Sequence, residues 1–198
     1  MTEQVHIVVA TIAFGMGIDK PDIRFVIHLN LPGSVEAYSQ EIGRAGRDGN
    51  ASDTLLIYGL DDLVIRRRMI EENSSDDKFK FHENKRLDYL LSYCETPECR
   101  RKVLLSYFDE ESENCNNCDN CIDPPSLIDG TILAQKLLST VYRTGQFYGQ
   151  VHIINVLRGS EDKKILDKGH QKLSVYGLGK DKTKEFWQSF LRQMLAYG

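Results

Sequence analysis

The sequence predicts a multidomain protein of the α/β plus α class, in which a small parallel α/β part precedes two helical parts. Residues 1–60 alternate short β-branched runs with helical segments, a pattern typical of strands that pair in parallel. Residues 61–125 carry a cluster of four cysteines, which indicates a helical metal-binding module. Residues 126–198 have the pattern of a compact helical domain. We therefore expect three domains with these bounds.

The composition is that of an ordinary globular protein. The chain has 198 residues, of which 41% are hydrophobic and 27% are charged, and this length suits two to three small domains. The sequence has no apolar run long enough to span a membrane and no signal-peptide pattern, so we expect no membrane partner. Because its thiols are available for metal, we expect a cytoplasmic location, associated with the nucleoid if the protein is bacterial.

Charge is distributed unevenly along the chain. Residues 130–198 hold eleven lysines and arginines against five acidic residues, a balance of +6 in a chain whose net charge is −4. A basic end on an acidic chain suggests a polyanionic partner for that end. On charge alone, a solvent-exposed lysine face without a partner is an equally good interpretation.

Three strands and one helix are predicted in the α/β part. The strands lie at residues 5–10, 23–29 and 54–58, and Ser34 is a suitable N-cap for a helix that begins near Val35. Residues 11–21 contain two glycines and a proline and should form a loop. Open α/β sheets build their sites in loops that follow strands, so this loop is a candidate site.

Arg44 and Arg47 form a second candidate site. They are three residues apart, so we predict that they lie on one helical face, which Gly43 and Gly46 leave uncrowded. Two guanidinium groups on a cleared surface suit a phosphate, which they can bind bidentately. The alternative is a surface arginine pair beside acidic neighbours.

The cysteine cluster predicts a closed structural zinc site. Cys115, Cys118 and Cys121 form two overlapping C-x-x-C steps, and fifteen residues separate them from Cys99. Four thiolates in a tetrahedron leave no open position for a water. Thr96 is a suitable N-cap for a helix to about residue 108, which would place Cys99 in its first turn, where a thiol loses its proton more easily.

Other interpretations of the cysteines stay open. Free buried thiols and disulfides are possible, although a disulfide framework needs an oxidising compartment, to which nothing in the sequence points. A C-x-x-C-x-x-C run with a distant cysteine also occurs in iron–sulfur proteins. The fifth cysteine, Cys94, shares an apolar helical stripe with Leu87, Leu90 and Leu91, so we expect it in a core.

Three helices are predicted in the last domain. Asp129 is expected to cap a helix to about residue 144, a second helix covers residues 150–158, and Asp181 is expected to cap the last. The apolar stripe of the last helix should belong to the core and consists of Phe186, Phe190, Leu191, Met194 and Leu195.

Lysines cluster around the predicted start of the last helix, at Lys180, Lys182 and Lys184. Free N–H groups at a helix N-terminus, together with lysines, make a natural phosphate site. We therefore predict DNA binding there, with His170 and Lys172 as weaker DNA-binding candidates.

Three segments resemble the RecQ family of DNA helicases, in that family's order. Residues 11–21, Thr-Ile-Ala-Phe-Gly-Met-Gly-Ile-Asp-Lys-Pro, and 38–49, Tyr-Ser-Gln-Glu-Ile-Gly-Arg-Ala-Gly-Arg-Asp-Gly, resemble motifs V and VI of superfamily 2 helicases. The four-cysteine pattern, with two arginines after its first cysteine, resembles the zinc module that RecQ proteins place next. Residues 176–182, Tyr-Gly-Leu-Gly-Lys-Asp-Lys, resemble the winged-helix region of the same family.

The resemblance implies a fold and an activity. It implies a partial second RecA-like lobe over residues 1–60, a zinc-binding module over 61–125 and a winged-helix domain over 126–198. The β-hairpin wing is expected to be absent, because the chain stops at Gly198. The implied activity is that of an ATP-dependent 3′-to-5′ DNA helicase in DNA unwinding, recombination and repair, which binds single-stranded DNA and duplex junctions.

The resemblance also implies roles for single residues. Arg47 matches the arginine finger that stabilises charge on the transferring γ-phosphate, and Arg44 matches its partner at the same phosphates. Thr11 matches a contact to the backbone of the translocating DNA strand. Positions near the nucleotide, or lining the cleft between the lobes, are matched by Gln40, Gly17 and Asp19.

The sequence departs from a complete helicase. It has neither the phosphate-binding G-x-x-x-x-G-K-[ST] loop nor an acidic magnesium motif. We therefore expect a C-terminal piece of a longer polypeptide, which needs the missing N-terminal lobe as its partner and hydrolyses no ATP alone. ATP and Mg²⁺ would bind in the complete enzyme, expected to be a monomer. The alternative is a non-catalytic zinc and winged-helix protein that binds DNA or another protein.

Overall fold

A computed structural model describes residues 6–11 and 20–197, and the chain divides into two compact units. The N-terminal unit ends at Leu90, and the C-terminal unit begins at Leu91. Within residues 6–11 and 20–197, no helix combines the length and the apolar character needed to cross a membrane.

The N-terminal unit contains two strands and three helices among its described residues. They are β1 (Phe25–His28), α1 (Val35–Ile42), β2 (Asp53–Leu56), α2 (Leu60–Asn73) and most of α3 (Asp77–Glu95). The C-terminal unit contains the end of α3 and further helices. They are α4 (Arg100–Tyr107), α5 (Asp119–Ile122), α6 (Thr131–Arg143), α7 (Gln150–Arg158), α8 (Lys163–Asp167), a 3₁₀ helix (His170–Lys172) and α9 (Lys184–Tyr197).

β1 and β2 pair in parallel, with α1 as the connection between them. Phe25 lies opposite Asp53, and each later residue of β1 faces the corresponding residue of β2. The Ser34 hydroxyl accepts a hydrogen bond from the backbone N–H of Ala37 at 3.2 Å, so the predicted cap of α1 is confirmed. The parallel α/β part is therefore present, and its identification as a RecA-like lobe stays a prediction.

The first predicted strand was wrong over the residues that the structure describes. Residues 6–11 form no strand, and Ile7, Val8 and Val9 are 68%, 57% and 92% exposed. β-branched residues favour a strand when they pack on a half-buried, pleated surface. These side chains have no such cover, so the apolar run does not become a strand.

One face of the two-stranded sheet is apolar and open to solvent. Alternate residues of a strand point to the same face, and the alternate residues Phe25 and Ile27 of β1 and Leu55 of β2 are about half exposed. Leu29 and Ile57, which follow the two strands, continue this exposed face. We refer to these five residues as the bare sheet face.

Side chains from α2 and α3 hold the segment that leads into α1. Arg66 on α2 donates from Nε to the carbonyl of the fully buried Leu31 at 2.9 Å. Arg86 on α3 donates from Nη2 to the Ser34 hydroxyl at 3.2 Å. Because Ser34 is the N-cap of α1, these contacts fix where the helix begins.

α6, α7 and α9 form the main core of the C-terminal unit. The buried side chains of this core are Leu137, Ile153, Ile154, Leu157 and Trp187. Trp187 was missing from the predicted stripe of the last helix, although it is fully buried. Phe186, Phe190, Leu191 and Met194 pack against the core as predicted. Leu195 is 45% exposed, so its assignment to the core was wrong.

α9 begins at Lys184, three residues after the predicted cap Asp181. The Thr183 hydroxyl accepts a hydrogen bond from the backbone N–H of Phe186 at 3.1 Å, which is the role of an N-cap. Lys180 and Lys182 therefore precede the helix, and of the three predicted lysines only Lys184 lies at its start. The identification of this unit as a winged helix stays a prediction.

Two glycine N–H groups attach the segment before α9 to the end of α7. Gly177 donates to the carbonyl of Val156 at 3.0 Å, and Gly179 donates to that of Leu157 at 2.7 Å. The carbonyl of Gly179 accepts the indole N–H of Trp187 at 2.9 Å. These tertiary bonds hold residues 177–179 against the end of α7 and against Trp187, ahead of the start of α9.

Gly179→Ala is expected to destabilise the C-terminal unit. A Cβ at this position would lie 2.6 Å from Cζ2 of Trp187 and 2.8 Å from Cγ of Leu157, and overpacking a core costs about 1–3 kcal/mol. Gly149→Ala is the matched control, because nothing lies within 4 Å of its Cβ position. Denaturant unfolding followed by the fluorescence of Trp187, the only tryptophan, measures both. Equal midpoints for the two variants would contradict this packing.

Candidate functional site

The sulfur atoms of the four predicted metal ligands converge. The Sγ atoms of Cys99, Cys115, Cys118 and Cys121 all lie within 4.8 Å of one another, and those of Cys99 and Cys118 are 4.0 Å apart. Zn–S bonds of about 2.3 Å in a tetrahedron place sulfur atoms about 3.8 Å apart. The arrangement therefore fits a four-cysteine zinc site after a contraction of about an ångström at most.

Backbone N–H groups point at these sulfur atoms. Cys115 donates to Cys99 Sγ at 3.2 Å, Cys118 donates to Cys115 Sγ at 3.3 Å, and Arg100 donates to Cys118 Sγ at 3.4 Å. Such donors favour the charged thiolate over the thiol. The loop is therefore arranged for sulfur atoms that carry negative charge.

The pKa values of the thiols reflect burial and these donors. Burial raises the pKa of Cys99, but the N–H groups of Cys115 and Lys102 and the neighbouring thiols outweigh it and lower the pKa to about 6. For Cys118 as well, hydrogen bonds that include the Arg100 N–H outweigh burial and lower the pKa. Burial and the neighbouring thiols raise the pKa of Cys121 to about 12. Metal binding at this cluster would therefore release at least one proton from the interacting thiols.

Arg100 ties the metal loop to the end of α3. Its Nε lies 2.7 and 2.9 Å from the two carboxylate oxygens of Asp119, inside the loop. Its Nη1 donates to the carbonyls of Tyr93 and Cys94 at 3.1 Å each. The hydrogen bond from Arg100 lowers the pKa of Asp119. Arg100 therefore positions the ligands, a role that the sequence analysis did not assign.

The helix after Cys99 begins later than predicted. α4 starts at Arg100 with Cys99 at its N-cap, whereas Thr96 was the predicted cap. Thr96 instead accepts the N–H of Glu98 on its hydroxyl at 3.1 Å. The carbonyls of Thr96 and Glu98 accept Nδ2 of Asn120 at 2.7 and 2.8 Å. Asn120, which lies between two ligands, was also missed because its partners lie more than twenty residues away.

Cys94 lies outside the sulfur cluster, as predicted. It is half-buried on α3, and burial raises the pKa of its thiol to about 12. On the same helix, Leu87, Leu90 and Leu91 are almost fully buried. Cys94 therefore behaves as a neutral side chain of an apolar helix face.

Arg44 and Arg47 lie in consecutive turns after α1, so the prediction that they share a helical face was wrong. Gly46, between them, has a φ of +66°, and its N–H donates to the carbonyl of Ile23 at 2.9 Å. A Cβ on Gly46 would lie 2.7 Å from the Ser52 hydroxyl, so the site requires glycine. This tertiary bond gives the N–H of Gly46 a partner outside the helix, which ends at Ile42.

The two arginines have different surroundings. Arg44 is half-buried, and its Nε is buried without a hydrogen-bond partner among the described residues. Arg47 is exposed, and its Nε lies 3.4 Å from the carbonyl of Gly43. A buried donor without a protein partner usually has another partner, such as a ligand or water. The turns therefore present a guanidinium that can bind an anion, next to Gln40 in the last turn of α1.

Some predicted DNA-binding residues of the C-terminal unit are exposed, and others contact side chains of the same unit. Lys180 is exposed, and Lys182 places its ammonium 5.3 Å from the centre of the Phe186 ring. In the 3₁₀ helix, Lys172 is exposed, but His170 Nδ1 lies 2.9 Å from His152 Nε2. His170 is therefore committed to a contact inside the unit.

The remaining predicted site residues lie in the N-terminal segment. Thr11 is exposed, and Gly17 and Asp19 lie outside the described residues. The role predicted for each of these residues stays a prediction.

Three protein-family models match the chain one after another. The helicase conserved C-terminal domain matches residues 2–49, the RecQ zinc-binding domain matches residues 60–122, and the RQC domain matches residues 124–198. The second match contains the sulfur cluster, and the first contains both arginines.

Curated relatives cover almost the whole chain. The ATP-dependent DNA helicase RecQ of Haemophilus influenzae is 47% identical over 197 residues, which are 99% of this chain and 32% of that protein. The protein of the same name from Bacillus subtilis is 40% identical over 99% of this chain and 33% of its own length. The chain thus spans about a third of the length of these relatives. Given these relatives and three domain models in this order, the chain belongs to the RecQ family and matches its helicase C-terminal, zinc-binding and RQC region.

Proposed function

We propose that the chain works as the C-terminal part of an ATP-dependent 3′-to-5′ DNA helicase in DNA unwinding, recombination and repair. Its domains would be a partial RecA-like lobe over residues 1–60, a zinc module over 61–125 and a winged helix over 126–198. The observation that carries the proposal is the pair of arginines after α1, because Nε of Arg44 is buried and has no hydrogen-bond partner within residues 6–11 and 20–197. We also propose a cytoplasmic location.

In this proposal the arginines serve phosphoryl transfer. Such reactions are catalysed mainly by positioning and by neutralising the charge that spreads over the γ-phosphate oxygens. Arg47 would stabilise that charge, Arg44 would bind the same phosphates, and Gln40 would lie near the nucleotide. The sequence has no phosphate-binding loop, so ATP and Mg²⁺ would bind together with a further lobe, and Gly17 and Asp19 would line the cleft between the lobes. The bare sheet face supports the presence of a further part of the protein, because a large exposed apolar surface usually marks a site of contact with another part or partner.

Zinc would have a structural role in this proposal. Four cysteine sulfur atoms fill a tetrahedron and leave no position for a reacting water. The N–H donors and the Arg100 and Asn120 contacts supply the outer support that metal ligands normally have. The ion would therefore hold a polar loop that has little apolar cover of its own.

Duplex DNA would bind through phosphate contacts to residues 130–198, the basic part of the C-terminal unit. The residues proposed for this are Lys180, Lys182, Lys184, Lys172 and His170, and Thr11 is proposed to contact the translocating strand. Of these, His170 has the weakest support, because it already contacts His152.

Cys118→Ser is expected to remove the metal and unfold the loop. Without one thiolate the site loses a ligand, and structural zinc contributes directly to folding. Cys94→Ala is the matched control, because Cys94 lies outside the cluster. Metal analysis should find about one zinc per chain in the wild type and in the control, and none in Cys118→Ser. A stable, zinc-loaded Cys118→Ser protein, or a brown protein with iron and sulfide, would contradict a four-cysteine zinc site.

Arg47→Ala is expected to reduce ATP turnover to a small residual rate and to leave DNA binding intact. The test enzyme is this chain joined to the part of the Haemophilus relative that precedes the matched region, which we call the joined enzyme. Loss of an arginine finger lowers turnover by about 10³-fold or more. The assay measures ATP hydrolysis with and without single-stranded DNA. Arg67→Ala is the control, because Arg67 on α2 pairs with Asp88 on α3 and neither residue belongs to the turns that carry Arg44 and Arg47.

The chain alone should show no turnover in the same assay, and the joined enzyme should show it. Normal turnover by the Arg47→Ala enzyme would refute the assigned role. A joined enzyme that binds DNA but never hydrolyses ATP would instead favour the non-catalytic zinc and winged-helix alternative.

Replacing Lys180, Lys182 and Lys184 together by alanine is expected to weaken duplex DNA binding and to flatten its salt dependence. Each lost phosphate contact reduces the slope of log affinity against log salt concentration by about one. The matched control replaces the exposed Lys163, Lys164 and Lys168, which changes the charge equally. Titrations at several salt concentrations give both slopes, and identical slopes for the two triple variants would rule out a specific role for the first set.

A further inference from the structure

The turn that carries Arg47 is attached to the segment before β1 on both sides of that residue. Gly46 donates its N–H to the carbonyl of Ile23 at 2.9 Å, and Asp48 donates to that of Pro21 at 3.2 Å. Arg47 itself is exposed. Its backbone position is therefore set by its two neighbours and not by burial of its own side chain.

Arg24 contacts the residues on either side of this turn with all three nitrogen atoms of its guanidinium group. Nε donates to the carbonyl of Asp22 at 3.0 Å, Nη1 donates to that of Ala51 at 3.2 Å, and Nη2 pairs with the carboxylate of Asp48. A planar guanidinium offers its donors in a fixed arrangement, which a lysine cannot reproduce. Arg24 thus joins the residues before β1 to both ends of residues 48–51.

Asp48 is held in a single orientation by its other partner. The N–H of Asn50 donates to Oδ1 at 3.1 Å, and Nδ2 of Asn50 lies 3.0 Å from Oδ2. These hydrogen bonds from Asn50, together with that from Arg24, lower the pKa of Asp48 to about 2. A group with a lowered pKa keeps its contribution above its ordinary pKa and loses it only as the pH falls through about 2. The ion pair is therefore intact at any pH used for an activity assay.

We propose that Arg24 is a positioning residue for ATP turnover, which acts through Asp48 to fix the turn that carries Arg47. The proposal rests on the role proposed above for Arg47. It adds a residue outside the arginine turns, in the segment that directly precedes β1. The segment that begins at Pro21 and the arginine turn would therefore move as one piece.

The size of the effect separates positioning from simple stabilisation. A partly exposed ion pair contributes little to folding, typically about 0–1 kcal/mol. A displacement of about 1 Å in a catalytic group, by contrast, can cost about 10²-fold in rate. Loss of Arg24 should therefore reduce turnover far more than it reduces stability.

The first experiment measures ATP hydrolysis by the joined enzyme with Arg24→Ala. We expect kcat to fall about 10- to 100-fold while KM for ATP changes less than about threefold, because the missing interaction matters mainly in the transition state. Arg67→Ala is the matched control, since Arg67 and Asp88 form another partly exposed pair in the same unit, at 2.8 Å. Wild-type kcat in Arg24→Ala would overturn the proposal, as would an equal loss in the control.

The second experiment combines Arg24→Ala with Arg47→Ala in the joined enzyme. If Arg24 acts through Arg47, the double variant is no slower than Arg47→Ala alone, because the group to be positioned is already gone. A purely structural role for Arg24 would multiply the two losses. Multiplied losses would therefore overturn the proposal.

The third experiment needs no ATP turnover and uses the 198-residue chain. Arg24→Ala should speed hydrogen exchange at the backbone N–H groups of Gly46 and Asp48 by about tenfold or more, because the side chain that holds this turn against the carbonyls of Ile23 and Pro21 is lost. Exchange within α7 should stay as in the wild type. Unchanged exchange at both positions would overturn the proposal for Arg24, whether or not the joined enzyme is active. An inactive joined enzyme would count against the proposed function alone.

Discussion

The convergence of four sulfur atoms is the constraint on which the start of the C-terminal unit depends. Residues 109–118 have no helix or strand and are mostly exposed. Ordering such a segment costs about 1–2 kcal/mol of backbone entropy per residue, and burial offers little in return. The contacts that remain are N–H groups on sulfur, Arg100 on Asp119, and Asn120 on two carbonyls. A metal ion bound to the four sulfur atoms would hold together the segments that make these contacts.

The arginine turn follows the same principle without a metal. It lacks a helix to hold it, and its order comes from backbone and side-chain donors that reach across the chain to Pro21, Ile23 and Arg24. The metal loop is fixed by hydrogen bonds to the end of α3, and the arginine turn is fixed by hydrogen bonds to the residues just before β1. The two candidate sites of this chain therefore lie on loops whose rigidity comes from a few polar contacts, and not from an apolar core.

Local signals in the sequence predicted local structure well. The Ser34 cap, the end of α7 at Arg158 and the spacing of Cys115, Cys118 and Cys121 are set by residues within a few positions of one another. The structure confirms the cap, the helix end and the convergence of these three sulfur atoms. Failures came where distant partners decide. The predicted first strand has no packed surface to cover it. The predicted helical face of the two arginines is absent, and the N–H of Gly46 bonds to the distant Ile23. α8 was not predicted, because five residues with one buried side chain, Ile165, are too few to show a periodic pattern. The pairing of Arg24 with Asp48, like the Arg100 and Asn120 contacts, spans too much sequence for any local rule to find.

The bare sheet face has a practical consequence for judging the isolated chain. Dyes that become fluorescent on apolar surfaces are commonly used to detect molten globules, which expose their interiors. Here a well-formed parallel sheet already presents Phe25, Ile27 and Leu55 to solvent, so the folded chain should bind such a dye. A positive dye signal would then report an open surface of a native fold, and only near-ultraviolet circular dichroism would reveal whether packing elsewhere is intact.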